Sequence, residues 1–311
     1  MPAKRVLIIS NKWWETDPLC GVLIHDKARP ADLANFRYIR FPAPRLIAPK
    51  PADPRPSDPK LEPRLAFECV GVSVELWCLE EIMNPAENSS SSLEKFRVLQ
   101  NMMKLGDVPN LVIAFGTAGS REGVQNNGSV VIGRRVFIHE PRAGVSDRTG
   151  FWTPPQSGQI IDSDFPAKML AEIVNGQKSR YAEESRYAAE ARFLKSPITP
   201  ASPPITCIGN SFTSLGVVNI TNYDDYTWAD SEATAAFQAA KTGTQIGSIE
   251  TTHGIIRSAS KAPFLFVSGI TDTEGLFDYQ VTPQVYAQNF VAAHNAALAI
   301  AWLLPSLLTE I

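Results

Sequence analysis

The segment Leu111-Val-Ile-Ala-Phe-Gly-Thr-Ala-Gly-Ser120 begins as an apolar run and ends in a glycine-rich stretch. Five consecutive apolar residues are typical of a strand that is buried on both faces, as in a parallel sheet. Gly116–Ser120 predict a turn, because glycine lets the backbone approach a ligand closely. The N–H groups of such a turn can hold an anion or a water. The pattern is neither a Walker loop nor a G-x-G-x-x-G dinucleotide fingerprint.

Similar runs flank this segment along the chain. Arg5–Ser10 is predicted as a first, central strand, and Phe264–Ser268 as another buried strand. Further strands are predicted at Val70–Leu79, Ser129–Ile132, Arg135–His139 and Thr206–Phe212. Helices are predicted at Leu93–Met103, Phe165–Val174, Ser179–Leu194, Asp230–Lys241 and Pro283–Leu304. Strands that alternate with helices over the whole chain predict one α/β domain with a mostly parallel or mixed sheet.

The stretch Trp228–Lys241 carries two carboxylates directly before an apolar pattern with helical spacing. Asp230 is predicted as the N-cap, which accepts hydrogen bonds from free backbone N–H groups. Glu232 falls in the first turn, where the helix dipole favours an anion. Helix initiation alone explains both acids, but a carboxylate on such a rigid support is also suited to holding sugar hydroxyls.

Three other segments are less regular. Asn11–Pro18 is predicted as a loop at the end of the first strand, a position where ligand-contacting residues are found in α/β sheets, and it contains Glu15. The segment at about 41–63 is rich in proline and is predicted as an extended surface excursion. The segment at about 242–261 is interpreted as an insertion, which either brings His253 or Arg257 into the pocket or stays on the surface.

Composition excludes several classes of function. The 311 residues carry a net charge of −3, which gives no general electrostatic reason to bind nucleic acid or an anionic membrane. Four cysteines without a C-x-x-C spacing and four scattered histidines predict neither a metal site nor a redox motif. No cofactor is expected. The N-terminal apolar run is too short for a signal peptide, and Phe290–Leu304 is too short for a membrane span, so a cytoplasmic protein is expected.

Four segments occur in one order along the chain: the first strand with Glu15, then Phe115–Ser120, then Asp230–Ala235, then Val267–Asp272. Together they resemble the nucleoside phosphorylase/nucleosidase superfamily, which shows a Gly-Ser/Thr-Ala-Gly turn, a Met-Glu-Ala helix start and an Ile-Ser-Asp strand end. Gly128–Gly133 resembles its Gly-Asp-Ile/Val-Val strand, and Gly209–Phe212 its Gly-Asp-Ser/Ala-Phe base-binding turn. The resemblance implies a three-layer α/β/α fold with a central mixed sheet, spanning residues 1–311 as a single domain, and a homo-oligomer.

The resemblance also implies roles for individual residues. Asp272 stands where the family's acid protonates purine N7, and Glu15 where nucleosidases place the acid that activates water. The remaining positions are implied for substrate binding: Glu232 and Ser231 at the ribose, Phe212 at the base, and Gly116, Thr117 and Ser268 near the nucleophile. A general acid makes the purine a better leaving group, and this typically contributes 10²–10⁴-fold to the rate.

Departures from the family pattern leave three functions open. Ser231 replaces the family's Met before the Glu, and Ser268 replaces an Arg found in methylthioadenosine-type nucleosidases. Phosphorylases hold phosphate with arginines, one just before the glycine-rich turn, where this chain has Ala114-Phe115. The first hypothesis is therefore hydrolysis of a purine or related nucleoside by water. The alternatives are phosphorolysis with inorganic phosphate, and nucleoside binding without catalysis.

Overall fold

The computed structural model describes residues 4–25, 34–38, 55–121, 127–141, 151–176, 205–206, 212–220, 226–277 and 287–311. The predicted helix Ser179–Leu194, the motif residues 209–211 and most of the proline-rich excursion lie outside these residues. All twelve strands of the described part belong to one mixed sheet, which confirms the predicted α/β class.

The strands are β1 (Arg5–Ser10), β2 (Ala34–Tyr38), β3 (Leu65–Cys69), β4 (Val72–Cys78), β5 (Leu111–Ser120), β6 (Val130–Gly133), β7 (Arg135–His139), β8 (Ile160–Ile161), β9 (Ile205–Thr206), β10 (Phe212–Val217), β11 (Gln245–Glu250) and β12 (Phe264–Thr273). The main path runs β2-β3-β4-β1-β5-β11-β10-β7-β8. Off this path, β12 pairs with β5 and β6, and β6 also pairs with β9. Strand β5 is therefore the centre of the sheet, with β1 and β12 parallel to it.

The helices are α1 (Trp13–His25), α2 (Leu79–Ile82), α3 (Ser92–Met103), a helix α4 that includes residues 167–176, α5 (Tyr226–Ala239), α6 (His253–Ala259) and α7 (Ala287–Thr309). Alternate residues of the central strands face opposite sides of the sheet. Val6 and Ile8 pack with α1, α4 and α7, whereas Leu7 and Ile9 pack with α3 and α6. This is the three-layer arrangement that the resemblance implies.

The structure corrects two predictions of loop. Gly116–Ser120 do not turn but continue β5, because they pair with residues Ser268–Thr273 of β12. Asn11–Pro18 is not an open loop, because α1 begins at Trp13 and includes Pro18. Both segments lie where the sequence analysis expected ligand contacts, but the first belongs to a strand and most of the second to a helix.

The interpretation of residues 242–261 as an insertion is wrong. This segment supplies β11, which pairs with β10 and with the end of β5, and the helix α6. Ile255 and Ile256 of α6 are buried in the core. The segment is therefore an integral part of the sheet.

The last helix is longer than predicted. α7 has 23 residues, and its length and apolar composition would allow it to cross a membrane. In the structure, however, most of it is buried against the sheet and α1, as in the core helix of a folded domain. The prediction of a buried helix is therefore confirmed. The argument that the apolar segment is too short to span a membrane is not, because the helix is long enough.

Candidate active site

A cavity opens at the end of the central strands, where β1 gives way to α1. It is lined by residues that follow β1, by the second half of β5, by the ends of β11 and β12, and by single residues of α3, α5 and α7. A smaller cavity adjoins it and shares five lining residues with it: Asn11, Glu15, Thr117, Glu250 and Thr251. Crevices at strand ends are the usual binding sites of open α/β sheets.

Glu15 lies in this cavity, in the first turn of α1, with only 4% of its surface exposed. The backbone N–H groups of Asn11 and Lys12 donate to its Oε2, both at 2.9 Å. The N–H and the hydroxyl of Thr117 donate to its Oε1, at 2.8 and 2.9 Å. Burial raises the pKa of Glu15, and these four donors counter that rise. The arrangement therefore holds a carboxylate in a fixed position.

Gly116 makes room for this carboxylate. A Cβ atom at residue 116 would lie 2.7 Å from Glu15 Oε1, which is closer than such atoms approach. The glycine that the sequence analysis assigned to a turn is thus required by close packing against Glu15.

Asp272 lies across the same cavity, near the end of β12. The register of β12 against β5 shifts between Ile270 and Asp272, and Asp272 lines the cavity. The hydroxyl of Thr271 donates to Oδ1, and a Cβ at Gly119 would lie 3.1 Å from Oδ2. Burial is the main cause that raises the pKa of Asp272, to about 6.

Glu250 is a functional candidate that the sequence analysis missed. It is the last residue of β11, and its Oε2 accepts the backbone N–H groups of Thr252 and His253 at the start of α6. Burial raises its pKa to about 7. Glu250 lines both cavities. The sequence signal for Glu250 was an acid between a strand and a helix start. Because residues 242–261 were interpreted as an insertion, neither the strand nor the helix was predicted there.

Lys95 and Lys12 bring positive charge to the cavity. Lys12 Nζ lies 2.7 Å from Glu80 Oε1, so its charge is paired. Lys95 is 2% exposed, and its nearest polar contact is Thr252 Oγ1 at 3.5 Å. Burial is the largest cause that lowers the pKa of Lys95, to about 7. Among the described residues that line the cavity there is no arginine.

The structure places Glu232 and Ser231 differently from the sequence expectation. Glu232 Oε1 lies 3.0 Å from His139 Nε2, and Glu232 is not among the described residues that line the cavity. Ser231 is exposed and is also outside that lining. Asp230, which was assigned only a capping role, lines the cavity. It is not the N-cap, because α5 already begins at Tyr226.

Phe212 lies at the wrong end of the sheet for base stacking in this cavity. It begins β10 and pairs with Gln245, the first residue of β11, whereas Glu250 at the other end of β11 reaches the cavity. Its ring is buried in the core. Packing in the hydrophobic core therefore explains why residue 212 is aromatic.

Ser268 is fully buried and does not line the cavity directly. Its hydroxyl donates to Ser248, Ser248 donates to Ser214, and Ser214 bonds to His253 Nδ1 at 2.9 Å. His253 lines the smaller cavity, and burial lowers its pKa to about 4, so the ring is neutral near pH 7. Ser268 therefore contacts the site only through this chain of hydroxyls.

Arg121, which directly follows the glycine-rich stretch, and Arg257 both lie elsewhere. Arg121 lines a separate surface groove with Lys241 and Gln245. Arg257 donates to the backbone carbonyl groups of Asp162 and Ser260. Neither is among the described residues that line the site.

Comparison with solved structures finds the same fold in several nucleosidases. The chain matches the 5′-methylthioadenosine/S-adenosylhomocysteine nucleosidase of Neisseria meningitidis in complex with methylthio-immucillin-A, with 14% identity, a TM-score of 0.50, and coverage of 97% of this chain and 99% of the other. The corresponding Colwellia psychrerythraea protein in complex with adenine matches with 12% identity, a TM-score of 0.53, and coverage of 97% and 95%.

The futalosine hydrolase of Helicobacter pylori matches with 10% identity, a TM-score of 0.53, and coverage of 98% of each chain. Comparison of the sequence with protein-family models and with curated proteins gave no match. The structural likeness confirms the fold that the sequence motifs predict, over nearly the whole chain.

Proposed function

We propose that this protein hydrolyses the N-glycosidic bond of a purine or related nucleoside, with water as the nucleophile. The observation that carries the proposal is the pair Glu15 and Asp272, which lie in one cavity in different environments. Burial raises the pKa of both groups, but four hydrogen-bond donors counter the rise at Glu15, whereas Asp272 receives one hydroxyl donor. Two carboxyl groups that differ in this way suit a base and an acid.

In this mechanism Asp272 donates a proton to the leaving base, and Glu15 takes a proton from the attacking water. The three backbone donors to Glu15 are fixed, but the Thr117 hydroxyl can rotate. We infer that a water replaces this hydroxyl as the donor to Oε1. The oxocarbenium-like transition state is then flanked by carboxylates, as in other glycoside hydrolyses.

The remaining lining suits the rest of a nucleoside. Glu250, Thr251 and Lys95 offer charged and polar groups to sugar hydroxyls, and Trp14 and Phe277 offer aromatic surface to a base. Glu250 thus takes the sugar-binding role that the family resemblance had assigned to Glu232. The neighbours whose structures contain adenine or a nucleoside analogue support a ligand of this class.

Hydrolysis is favoured over phosphorolysis by the cations of the cavity. Lys12 is already paired with Glu80, and no described arginine lines the site. Phosphate is usually held by several charged donors, and arginine provides them in a fixed fork. Lys95 alone would face a phosphate together with Glu15 and Glu250, which repel it.

The function is tested by incubating the protein with a panel of purine nucleosides, with and without inorganic phosphate. Free base and the sugar product are quantified by chromatography. We expect base and free ribose or a 5′-substituted ribose in both conditions. Strict dependence on phosphate, with a sugar 1-phosphate as product, would establish phosphorolysis instead. Saturable binding without product would establish a nucleoside-binding protein.

The role of Asp272 has its own test. Asp272→Asn removes the acid, and we expect base release to fall by about 10²–10⁴-fold. A riboside of 4-nitrophenol has a leaving group that departs without protonation, so its hydrolysis should survive the substitution. Equal losses on both substrates would show that Asp272 is needed for folding or binding and not for protonation.

A further inference from the structure

Asp230 projects into the cavity from α5, although helix initiation does not require it there. α5 begins four residues earlier, so Asp230 lies beyond the N-cap. Residues two apart on a helix point to different faces. Asp230 accordingly lines the cavity, whereas Glu232 is bonded to His139. The helix turns one acid toward the site and the other away from it.

We propose that Asp230 and Asp272 share one proton across the cavity, and that this pair, rather than Asp272 alone, is the acid that protonates the leaving base. The inference rests on the proposed function. It makes Asp230 a further catalytic residue, which neither the motif pattern nor the family resemblance assigned.

The charges around Asp230 come from three elements. Asp272 and Glu274 lie on or just after β12, and Glu250 ends β11. The other charged groups that line the cavity are Glu15, Lys12 and Lys95. Burial, followed by the charges of Asp272, Glu274 and Glu250, raises the pKa of Asp230 well above its ordinary value.

Two carboxyl groups that line one cavity and repel each other when both are charged do not both ionise readily, so their protons leave in two separate steps. The first step corresponds to Asp272, whose pKa is raised to about 6. The second proton leaves at a higher pH, because it must leave a dianion. The pair therefore keeps one proton at neutral pH, with burial of Asp230 as the largest cause and the charge of Asp272 as the next.

An unpaired group in the same cavity indicates that a ligand completes it. Asn289 of α7 is 2% exposed and lines the cavity, and its Oδ1 has no hydrogen-bond partner. Buried polar atoms in folded proteins are nearly always bonded. A bound base with N–H donors would satisfy this oxygen near the carboxyl pair.

The proposed step balances as follows. The O–H bond of the pair breaks, and an N–H bond forms on the base. The electron pair of the glycosidic C–N bond leaves with the base, and the oxygen of water bonds to the sugar carbon. One proton of that water passes to Glu15, and the other stays on the new hydroxyl group of the sugar. Exchange with solvent then returns a proton to the pair and removes one from Glu15.

The first test compares pH profiles of kcat/KM for the wild-type protein, Asp230→Asn and the control Glu274→Gln. Glu274→Gln also removes a carboxylate near Asp230, but Glu274 is not among the described residues that line the cavity. We expect the wild-type protein and the control to stay active through pH 8. Asp230→Asn should lose activity above about pH 6, by about tenfold for each pH unit. A profile of Asp230→Asn that superimposes on the wild-type profile would overturn the proposal.

The second test needs no variant and no turnover. The side-chain carboxyl carbons of Asp230 and Asp272 in the wild-type protein are followed by ¹³C NMR during a pH titration. We expect one step near pH 6 and a second step above pH 7. Two carboxylates that are both ionised by pH 7 would overturn the pair. If the steps are found but no nucleoside is cleaved, the proposed nucleosidase function fails while proton sharing stands.

Discussion

At Gly116 the space for a side chain is limited by the carboxyl group of Glu15. A Cβ added here would lie 2.7 Å from Glu15 Oε1, so Gly116→Ala must displace that group from the Thr117 donors. Misplacement of a catalytic group by about 1 Å can reduce activity by roughly 100-fold. We expect a loss of that order in kcat/KM, together with destabilisation by about 1–3 kcal/mol from overpacking. Steady-state kinetics and urea unfolding measure the two effects.

Gly21 provides the matched control for this substitution. It lies in α1, the helix that also carries Glu15, and nothing lies within 4 Å of a Cβ added there. Alanine in a helix is favoured over glycine by about 0.5–1 kcal/mol, so Gly21→Ala should leave activity unchanged and preserve or raise stability. If both variants behaved alike, the close approach between Gly116 and Glu15 would not matter for function.

Individual site residues differ in how far the sequence could predict them. Glu15 was predicted from its position after the first strand, where α/β sheets bind ligands. The family resemblance implied Thr117 and Asp272, and Gly116 belonged to the glycine-rich stretch. Their roles stay predictions. Lys95 could not be found in this way, because a lysine in an amphipathic helix is ordinarily solvated. It is buried, and its polar contact is Thr252 in the turn between β11 and α6.

At the scale of elements, there are two alternative assignments of the sugar-binding carboxylate: one on the strand-to-helix unit β11–α6 and one on α5. The geometry favours Glu250 of β11, so Glu250→Gln should lower kcat/KM by about 10–100-fold, since a hydrogen bond to a charged group contributes about 1.5–3 kcal/mol. Glu232→Gln should change it by less than about threefold. The kinetics of both variants on one nucleoside decide between them. A larger loss in Glu232→Gln would restore the assignment made from the helix-start motif.

The same comparison shows which elements a sequence can predict. β1, β5 and β12 are runs of apolar residues, and only a buried strand explains such runs. β11 and α6 are short, with six and seven residues, and polar residues interrupt both. Their positions depend on pairing with β10 and β5, which local pattern does not contain. The family's helix-start motif was therefore matched to the longer helix α5, whose acidic residues resemble it.

At the scale of the whole molecule, the buried ionisable groups predict an unusual dependence of stability on pH. Burial raises the pKa of Glu250 and Glu81 to about 7 and of Asp272 to about 6, all above the values of an unfolded chain. A carboxyl group with a raised folded-state pKa stabilises the fold below its unfolded pKa. That stability is lost as the pH rises through the folded value.

His253 acts in the opposite direction between about pH 4 and 6.5, because burial lowers its pKa, but it is one group against several carboxyl groups, which include Glu15 and Asp230 as well. Above pH 7, the lowered pKa of Lys95 favours the folded state as the pH rises, whereas the raised pKa of Asp230 opposes this change. We therefore expect the free energy of unfolding to fall from pH 5 to pH 7. Urea unfolding at each pH measures this curve.

The variant Glu250→Gln serves as the control for the pH curve, because glutamine does not titrate and one of the descending contributions is then absent. Its unfolding free energy should fall less steeply between pH 5 and pH 7 than that of the wild-type protein. A wild-type curve that rises steadily from pH 5 to pH 7 would show that these carboxyl groups titrate normally in the folded state. The cavity would then lack the protonated acids that both the hydrolytic mechanism and the carboxyl pair require, so this single measurement bears on the whole site.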